Sequence, residues 1–132
     1  MNTTVEAAPA KALELIEQGA LLIDVREPEE VADAAFDVPG VMLIPFSRFE
    51  QRFREIPSDR QVIIGCRSGS RSMMATRFLM NQGYDKAINL QRGIMFWEQK
   101  GFPVKRKPQR HAGGWDGASA SDSLVKRMAR FF

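Results

Sequence analysis

Short apolar runs alternate with amphipathic stretches along most of the chain. The runs are rich in Val, Ile and Leu and have the length of buried strands; they lie at residues 20–25, 41–44, 62–64 and 87–90, with a further short strand expected at 4–6. Apolar residues at helical spacing predict helices at 10–18, 27–35, 47–56 and 71–82, and a last helix that carries Phe96 and Trp97. Because no hairpin signal separates the strands, the pattern predicts an α/β fold whose parallel sheet is covered by helices on both faces.

Charge is distributed unevenly along the chain. Residues 1–104 carry 12 Lys and Arg against 14 Asp and Glu, whereas residues 105–132 carry 7 against 2. The basic excess therefore belongs to the C-terminal region and gives no reason to expect that the domain binds nucleic acid. We predict one domain at 1–104, followed at 105–132 by a basic linker and a short amphipathic segment.

Length and cysteine content narrow the class of protein. The 132 residues suffice for one domain with a real core, and the single cysteine excludes an internal disulfide framework and a cysteine-cluster metal site. Residues 1–10 lack the pattern of a secretory signal, and no apolar run has the length of a membrane span. We therefore expect a cytoplasmic protein.

The candidate chemistry lies where the run at 62–64 ends. Gly65 ends this predicted strand, Cys66 opens a short loop, and helical spacing begins near Arg71. Backbone N–H groups of a small loop at a helix N-terminus point at a common centre, and the helix dipole adds positive charge there. The sequence thus predicts an anion-binding loop with a thiol at its first position.

These surroundings favour the thiolate of Cys66, the nucleophilic form of cysteine. We predict Cys66 as the catalytic residue, exposed in its loop. The predicted substrate-binding residues follow it directly in the chain: Arg67, Ser68, Gly69, Ser70, Arg71 and Ser72. The alternative, an inert buried cysteine, would need neither small residues in the loop nor an arginine on either side of them.

The loop at 66–71 resembles the active-site loop of single-domain rhodaneses, which carry sulfane sulfur as a cysteine persulfide. The resemblance extends over about residues 5–104, through the segments at 22–30, 38–45, 83–85, 89–90 and 101–104 and through Gly93 and Trp97. It implies a three-layer fold with a central parallel sheet of about five strands. One departure is the absence of the histidine that the family often has before the Pro39-Gly40 pair; here Asp37-Val38 precede it.

The resemblance implies a sulfurtransferase with no metal and no organic cofactor. Its expected partners are a small anionic donor, such as thiosulfate or a polysulfide, and a thiol, cyanide or protein acceptor. Asp24 and Arg26, at the end of an earlier strand, are predicted as supporting residues. We expect the Asp24 carboxylate to accept backbone N–H groups and brace the neighbouring loop, without taking part in proton transfer.

Two other functional classes stay open. A phosphatase or an arsenate reductase uses a similar anion-binding loop. Phosphatases of this kind have five residues between the cysteine and the arginine, as Cys-x5-Arg, whereas only four residues separate Cys66 from Arg71. A non-catalytic rhodanese-like binding module is the other alternative, although such modules typically lack the cysteine.

Two further predictions concern the C-terminal region. His111 is expected to be a solvated tail residue. Beyond the linker, apolar and basic residues fall on opposite faces of a short segment at 124–132, too short for a stable isolated helix. We expect this segment to dock on its own domain or on a second copy, supporting a homodimer. Docking on another protein and, after it, peripheral membrane contact are the less favoured alternatives.

Overall fold

The computed structural model describes residues 5–107 and contains a central sheet of five parallel strands. These are β1 Glu6–Ala7, β2 Leu21–Asp24, β4 Met42–Leu43, β5 Val62–Gly65 and β6 Ala87–Leu90. Their order across the sheet is β1-β6-β5-β2-β4, and every neighbouring pair is parallel. The predicted α/β fold with a parallel sheet of about five strands is confirmed.

Helices cover both faces of this sheet. They are α1 Pro9–Glu17, α2 Pro28–Asp33, α3 Phe49–Arg52, α4 Ser70–Asn81 and α5 Gly93–Gln99. Side chains alternate along each strand, so the two faces form separate cores. Ile23, Val62 and Ile64 contribute to the core on the α3 and α4 side, whereas Leu22 and Ile63 contribute to the core that also contains Trp97.

The continuous helix expected at 47–56 is instead three short turns. Two 3-10 turns, Phe46–Arg48 and Phe53–Glu55, flank α3. The buried hydroxyl of Tyr84 shares its one proton between the carbonyl oxygens of Ile56 (2.7 Å) and Phe53 (3.2 Å). These bonds satisfy carbonyl groups at the end of the segment without a further helical turn.

A second, two-stranded sheet corrects the prediction at residues 27–35. The helix α2 ends at Asp33, and β3 Ala34–Phe36 pairs antiparallel with β7 Val104–Arg106. Phe36 is buried against Trp97, with ring centroids 5.5 Å apart in an edge-to-face arrangement. This packing and the strand pairing outweigh the helical pattern. The folded domain therefore extends past the predicted boundary at residue 104.

The register of the strands places two polar residues, Asp24 and Asn89, at the same edge of the sheet. Asp24 lies beside Gly65, and Asn89 lies beside Ile64, at the carboxyl ends of three adjacent strands. Functional groups of open parallel sheets gather at this edge. Within residues 5–107, none of the helices is both long and apolar enough to cross a membrane. The predictions for His111 and for the segment at 124–132 lie outside the described residues.

Candidate active site

Cys66 directly follows β5 and is fully buried. Its Sγ atom accepts a hydrogen bond from the backbone N–H of Gly69, at 3.1 Å. The prediction of an exposed thiol was wrong: Cys66 belongs to the buried core on the α3 and α4 side of the sheet. The thiol nevertheless has the polar contact that the anion-binding prediction requires, so burial alone does not make it an ordinary core residue.

Gly69 gives the loop its shape. Its φ of +106° lies in a region that side-chain-bearing residues rarely adopt, and it is the residue that precedes α4. A Cβ atom at this position would also lie 3.2 Å from the backbone nitrogen of Arg92. A glycine therefore suits both the backbone conformation that directs the N–H toward Sγ and the close approach of the α5 segment.

The start of α5 contacts the loop from the side of β6. The backbone N–H of Ile94 donates to the carbonyl oxygen of Cys66 (2.8 Å), and that of Met95 donates to the carbonyl oxygen of Arg67 (3.1 Å). A Cβ atom on Gly93 would lie 2.4 Å from the Arg67 carbonyl oxygen. Gly93 was part of the sequence resemblance, but its contact with the loop could not be read from its position in the chain.

Asp24 and Arg26 form a buried ion pair beside the loop. The guanidinium donates to both carboxylate oxygens, at 2.8 and 3.1 Å, and both side chains are almost completely buried. Asp24 Oδ1 also accepts the backbone N–H of Arg26, which is the type of contact expected for this carboxylate. Arg26 donates further to the carbonyl oxygen of Glu30 and so links β2 to α2.

Arg71 makes a bidentate ion pair with Glu30. The two N···O distances are 2.7 and 2.8 Å, and both side chains are partly exposed. The hydrogen bonds from Arg71 lower the pKa of Glu30 to about 2, and the same pairing raises the pKa of Arg71. The alternative to donor binding was a structural Arg71 paired with a carboxylate such as Asp24 or Glu30, and the structure shows the pair with Glu30. Arg71 was expected to hold the donor, and the structure directs its guanidinium to this carboxylate.

Ser72 lies in the first turn of α4 and is fully buried. Its hydroxyl is 2.5 Å from Asn89 Oδ1 and 3.3 Å from the Gly69 carbonyl oxygen. The amide nitrogen of Asn89 in turn donates to Glu6, at 2.9 Å. Ser72, predicted to bind substrate, thus contacts the sheet edge through Asn89, which sequence reasoning did not single out.

The remaining predicted loop residues, Arg67, Ser68 and Ser70, are exposed. The structure thus brings the Cys66 thiol, a donating N–H and the guanidinium groups of Arg26 and Arg71 to one edge of the sheet. Among residues 5–107 there is no cluster of three or more His, Cys, Asp or Glu side chains that could hold a metal ion. What this arrangement offers is a sulfur nucleophile next to groups that attract anions.

Comparison with known proteins gives consistent matches. The family model of the rhodanese-like domain matches residues 8–100. A sulfurtransferase of Allochromatium vinosum is 41% identical over 87 residues, which cover 66% of this chain and 79% of that protein. The thiosulfate sulfurtransferase GlpE of Actinobacillus pleuropneumoniae is 32% identical over 109 residues, covering 79% and 95%. The crystal structure of a rhodanese-related protein from Thermoplasma volcanium has a TM-score of 0.70 at 27% identity, covering 76% and 97%.

Proposed function

The chain belongs to the rhodanese-like domain family, and from that premise we propose that it transfers sulfane sulfur through a persulfide on Cys66. The donor in this proposal is thiosulfate or a polysulfide, and the acceptor is a thiol or cyanide. Sulfurtransferase activity is typical of the family, as the names of its relatives indicate. The particular donor and acceptor, and the persulfide itself, are our proposal.

One contact carries the proposal: the N–H of Gly69 directed at Cys66 Sγ. A thiolate needs donors that lie close to the sulfur, and a fixed backbone N–H supplies one without any rearrangement of a side chain. The same donor is available to the terminal sulfur of a persulfide. The loop therefore offers a hydrogen bond to the sulfur of Cys66 and, in the proposal, to the terminal sulfur of its persulfide.

The first half of the proposed reaction loads the cysteine. The Cys66 thiolate attacks the outer sulfur of thiosulfate, a new S–S bond forms at Sγ, and the original S–S bond breaks. Sulfite leaves with the electron pair of that bond, so the charge balances without a proton transfer. This step requires a nucleophile and an anion-attracting environment, both of which the loop provides.

The second half unloads the cysteine. Cyanide attacks the terminal sulfur of the persulfide, thiocyanate leaves, and the Cys66 thiolate is restored. A thiolate acceptor reacts in the same way and becomes a persulfide itself. Because one sulfur atom serves as both nucleophile and leaving group, the single cysteine of the chain is sufficient.

Mass spectrometry of the intact protein tests the proposal. After treatment with thiosulfate, and separately with polysulfide, we expect the mass to increase by one sulfur atom and the increment to be located on Cys66. Subsequent cyanide should remove the increment and release thiocyanate. The relative yields from the two donors would rank them.

Cys66→Ser is the control for this experiment. Serine keeps a hydrogen-bonding group near the Gly69 N–H, so the buried loop should fold, but no persulfide should form. If Cys66→Ser retained substantial thiosulfate:cyanide sulfurtransferase activity, the assignment of Cys66 would be wrong. If the wild-type protein took up no sulfur from either donor, the proposed reaction would have to be abandoned.

A further inference from the structure

Asn89 is a polar residue in a strand whose four residues, Ala87–Leu90, are all buried. Its side chain is completely hidden from solvent. A buried amide is costly unless its polar atoms have partners. Both atoms have one: Oδ1 lies 2.5 Å from the Ser72 hydroxyl, and Nδ2 donates to a carboxylate oxygen of Glu6 at 2.9 Å. The reaction proposed above uses none of these three side chains, so their contacts call for another explanation.

The Glu6 carboxylate fixes the direction in which the Asn89 amide faces. The two residues are partners in the register of β1 and β6, so their side chains lie on the same face of the sheet. An ionised carboxylate accepts hydrogen bonds and donates none, so the amide nitrogen must face Glu6. Oδ1 then faces Ser72 on α4. An exposed residue of β1 thereby orients a buried side chain of β6.

The orientation of the amide determines where the proton of the Ser72 hydroxyl goes. A hydroxyl has one proton to donate, and the two acceptors near it are Asn89 Oδ1 at 2.5 Å and the Gly69 carbonyl oxygen at 3.3 Å. The shorter contact takes the proton. The Gly69 carbonyl is thereby left to the backbone N–H of Met73, at 3.1 Å, which is the first helical hydrogen bond of α4. With the amide reversed, the hydroxyl would compete with Met73 for this carbonyl.

Gly69 is the residue at which these contacts meet the nucleophile. Its carbonyl oxygen lies next to the Ser72 hydroxyl, and its N–H donates to Cys66 Sγ at 3.1 Å. A displacement of Gly69 therefore moves the donor that the sulfur depends on. The contacts form a continuous chain from the exposed Glu6 carboxylate, through two buried side chains, to the N–H at the sulfur.

We propose that Glu6, Asn89 and Ser72 are positioning residues that hold the Gly69 N–H against the sulfur of Cys66. Ser72 then acts through Gly69 and not on the substrate, because its hydroxyl is buried and already bonded to Asn89. Supporting contacts of this kind keep reacting groups within a fraction of an ångström of the productive geometry. The effect on sulfur transfer rests on the function proposed above, whereas the effect on the N–H···S contact does not.

The amide proton resonance of Gly69 in the NMR spectrum measures this contact directly. A hydrogen-bonded amide proton resonates downfield, and its displacement in Cys66→Ala identifies the part that is due to the sulfur. In Ser72→Ala we expect the resonance to move upfield, in the same direction as in Cys66→Ala, because Gly69 is no longer held in place. The measurement needs no sulfur donor.

The kinetics of persulfide formation from thiosulfate provide a second readout. In Ser72→Ala we expect the rate at saturating thiosulfate to fall roughly tenfold, because a small misplacement of a reacting group is costly. The half-saturating concentration of thiosulfate should stay the same, because no group that would contact the donor is removed. A variant that had merely lost stability would change neither quantity while it remained folded.

The chain offers matched variants for both measurements. Thr76→Val removes another buried hydroxyl of α4, one that donates to the Ser72 carbonyl oxygen, and should move neither the resonance nor the rate. Glu6→Ala should act in the same direction as Ser72→Ala but less strongly, and should add nothing in the Ser72→Ala background. Glu14→Ala, which removes another exposed glutamate, in an ion pair with Lys11, should have no effect.

The outcomes separate the positioning role from the proposed function. A Gly69 resonance that stayed in place in both Ser72→Ala and Glu6→Ala would overturn the inference, and so would an equal displacement in Thr76→Val. Because Glu6 is exposed, its variant gives the answer even if Ser72→Ala fails to fold. If the resonance moved as expected but the wild-type protein formed no persulfide, the positioning role would stand and the proposed sulfur transfer would fail.

Discussion

The Cys66 loop is held on two sides by different kinds of interaction. On the charged side, toward β2 and α2, two ion pairs lie next to it: Asp24–Arg26 and Glu30–Arg71. On the neutral side, toward β6 and α5, the direct contacts are backbone hydrogen bonds, the hydroxyl of Ser72 and the close approach of Gly93.

The two sides of the loop differ in whether their interactions depend on charge or on shape. Ion pairs depend on both partners and on pH, so the charged side can couple the loop to its electrostatic surroundings. The backbone hydrogen bonds and the close approach at Gly93 on the neutral side depend on shape and not on charge. We therefore expect disturbance of the neutral side to displace the nucleophile, and disturbance of the charged side to act mainly on stability and on its pH dependence.

The largest effect is expected from Gly93→Ala. The new Cβ would lie 2.4 Å from the Arg67 carbonyl oxygen and 2.5 Å from that of Cys66, so the loop must move. We expect persulfide formation to fall by about two orders of magnitude or more, because small displacements of a reacting group are costly. The measurement is the rate of sulfur uptake from thiosulfate, followed by intact mass.

Gly40→Ala is the matched control for this prediction. Gly40 has a similar backbone conformation (φ +69° against +62° for Gly93), but a Cβ atom there would meet no other atom within 4 Å. It isolates the strain of placing alanine at a positive φ, which costs on the order of 1 kcal/mol. Equal losses of sulfur uptake in the two variants would show that the contact between α5 and the loop has no special effect.

The second prediction concerns the buried pair of the charged side. Asp24→Ala would leave the Arg26 guanidinium buried without its carboxylate, a change that typically costs about 3–5 kcal/mol. We expect a large fall in the free energy of unfolding, measured by urea denaturation. Glu55→Ala, which breaks the exposed Arg52–Glu55 pair, should leave the urea midpoint close to that of the wild type. A small effect of Asp24→Ala would mean that water or another group compensates Arg26.

Much of the fold was accessible from the sequence because the relevant signals are local. The run at 62–64 followed by Gly65 identified both a strand and the position of Cys66, and the alternation of runs gave the parallel sheet. The strands β3 and β7 were missed for the opposite reason. Each has three residues, neither has a pattern of its own, and their pairing joins distant parts of the chain.

The site was predicted less completely for a related reason. The residues that follow Cys66 were found by their proximity in sequence, but their partners on other elements were found only in part. Asn89 reaches Ser72 because β6 lies beside β5 in a register that places Asn89 next to Ile64. The sequence left Asp24 and Glu30 open as partners of Arg71, and only the placement of α2 beside the start of α4 selects Glu30. Burial of Cys66 likewise depends on the path of the loop, which composition does not specify.

The third prediction tests the hydrogen-bonded part of the neutral side. Ser72→Ala would leave Asn89 Oδ1 buried without its donor, which costs about 1–3 kcal/mol. The control is Thr76→Val, one turn along α4, where the lost hydroxyl donates to the backbone carbonyl of Ser72. That change should cost less, because a helical carbonyl keeps its backbone partner. If the two variants had equal unfolding free energies, the link between Ser72 and Asn89 would not contribute specifically.

The smallest effect is expected from Glu30→Gln, and it should depend on pH. Pairing with Arg71 lowers the pKa of Glu30 from an ordinary 4.5 to about 2 in the folded protein. The unfolded chain therefore binds the proton more readily, so the pair stabilises the fold above pH 4.5, and this contribution is lost as the pH falls from there toward about 2. Because both side chains are partly exposed, we expect a contribution on the order of 1 kcal/mol.

The measurement is the urea midpoint of wild type and Glu30→Gln across that range of pH. The wild-type protein should be the more stable at neutral pH, and the two curves should converge as the solution becomes more acidic, because glutamine has no proton to take up. Ser72→Ala supplies the contrast: its deficit comes from uncharged groups and should persist at both ends of the range. Curves for Glu30→Gln that stayed parallel to the wild type would mean that the ion pair contributes no pH dependence, and the distinction between the charged and neutral sides would fail at this pair.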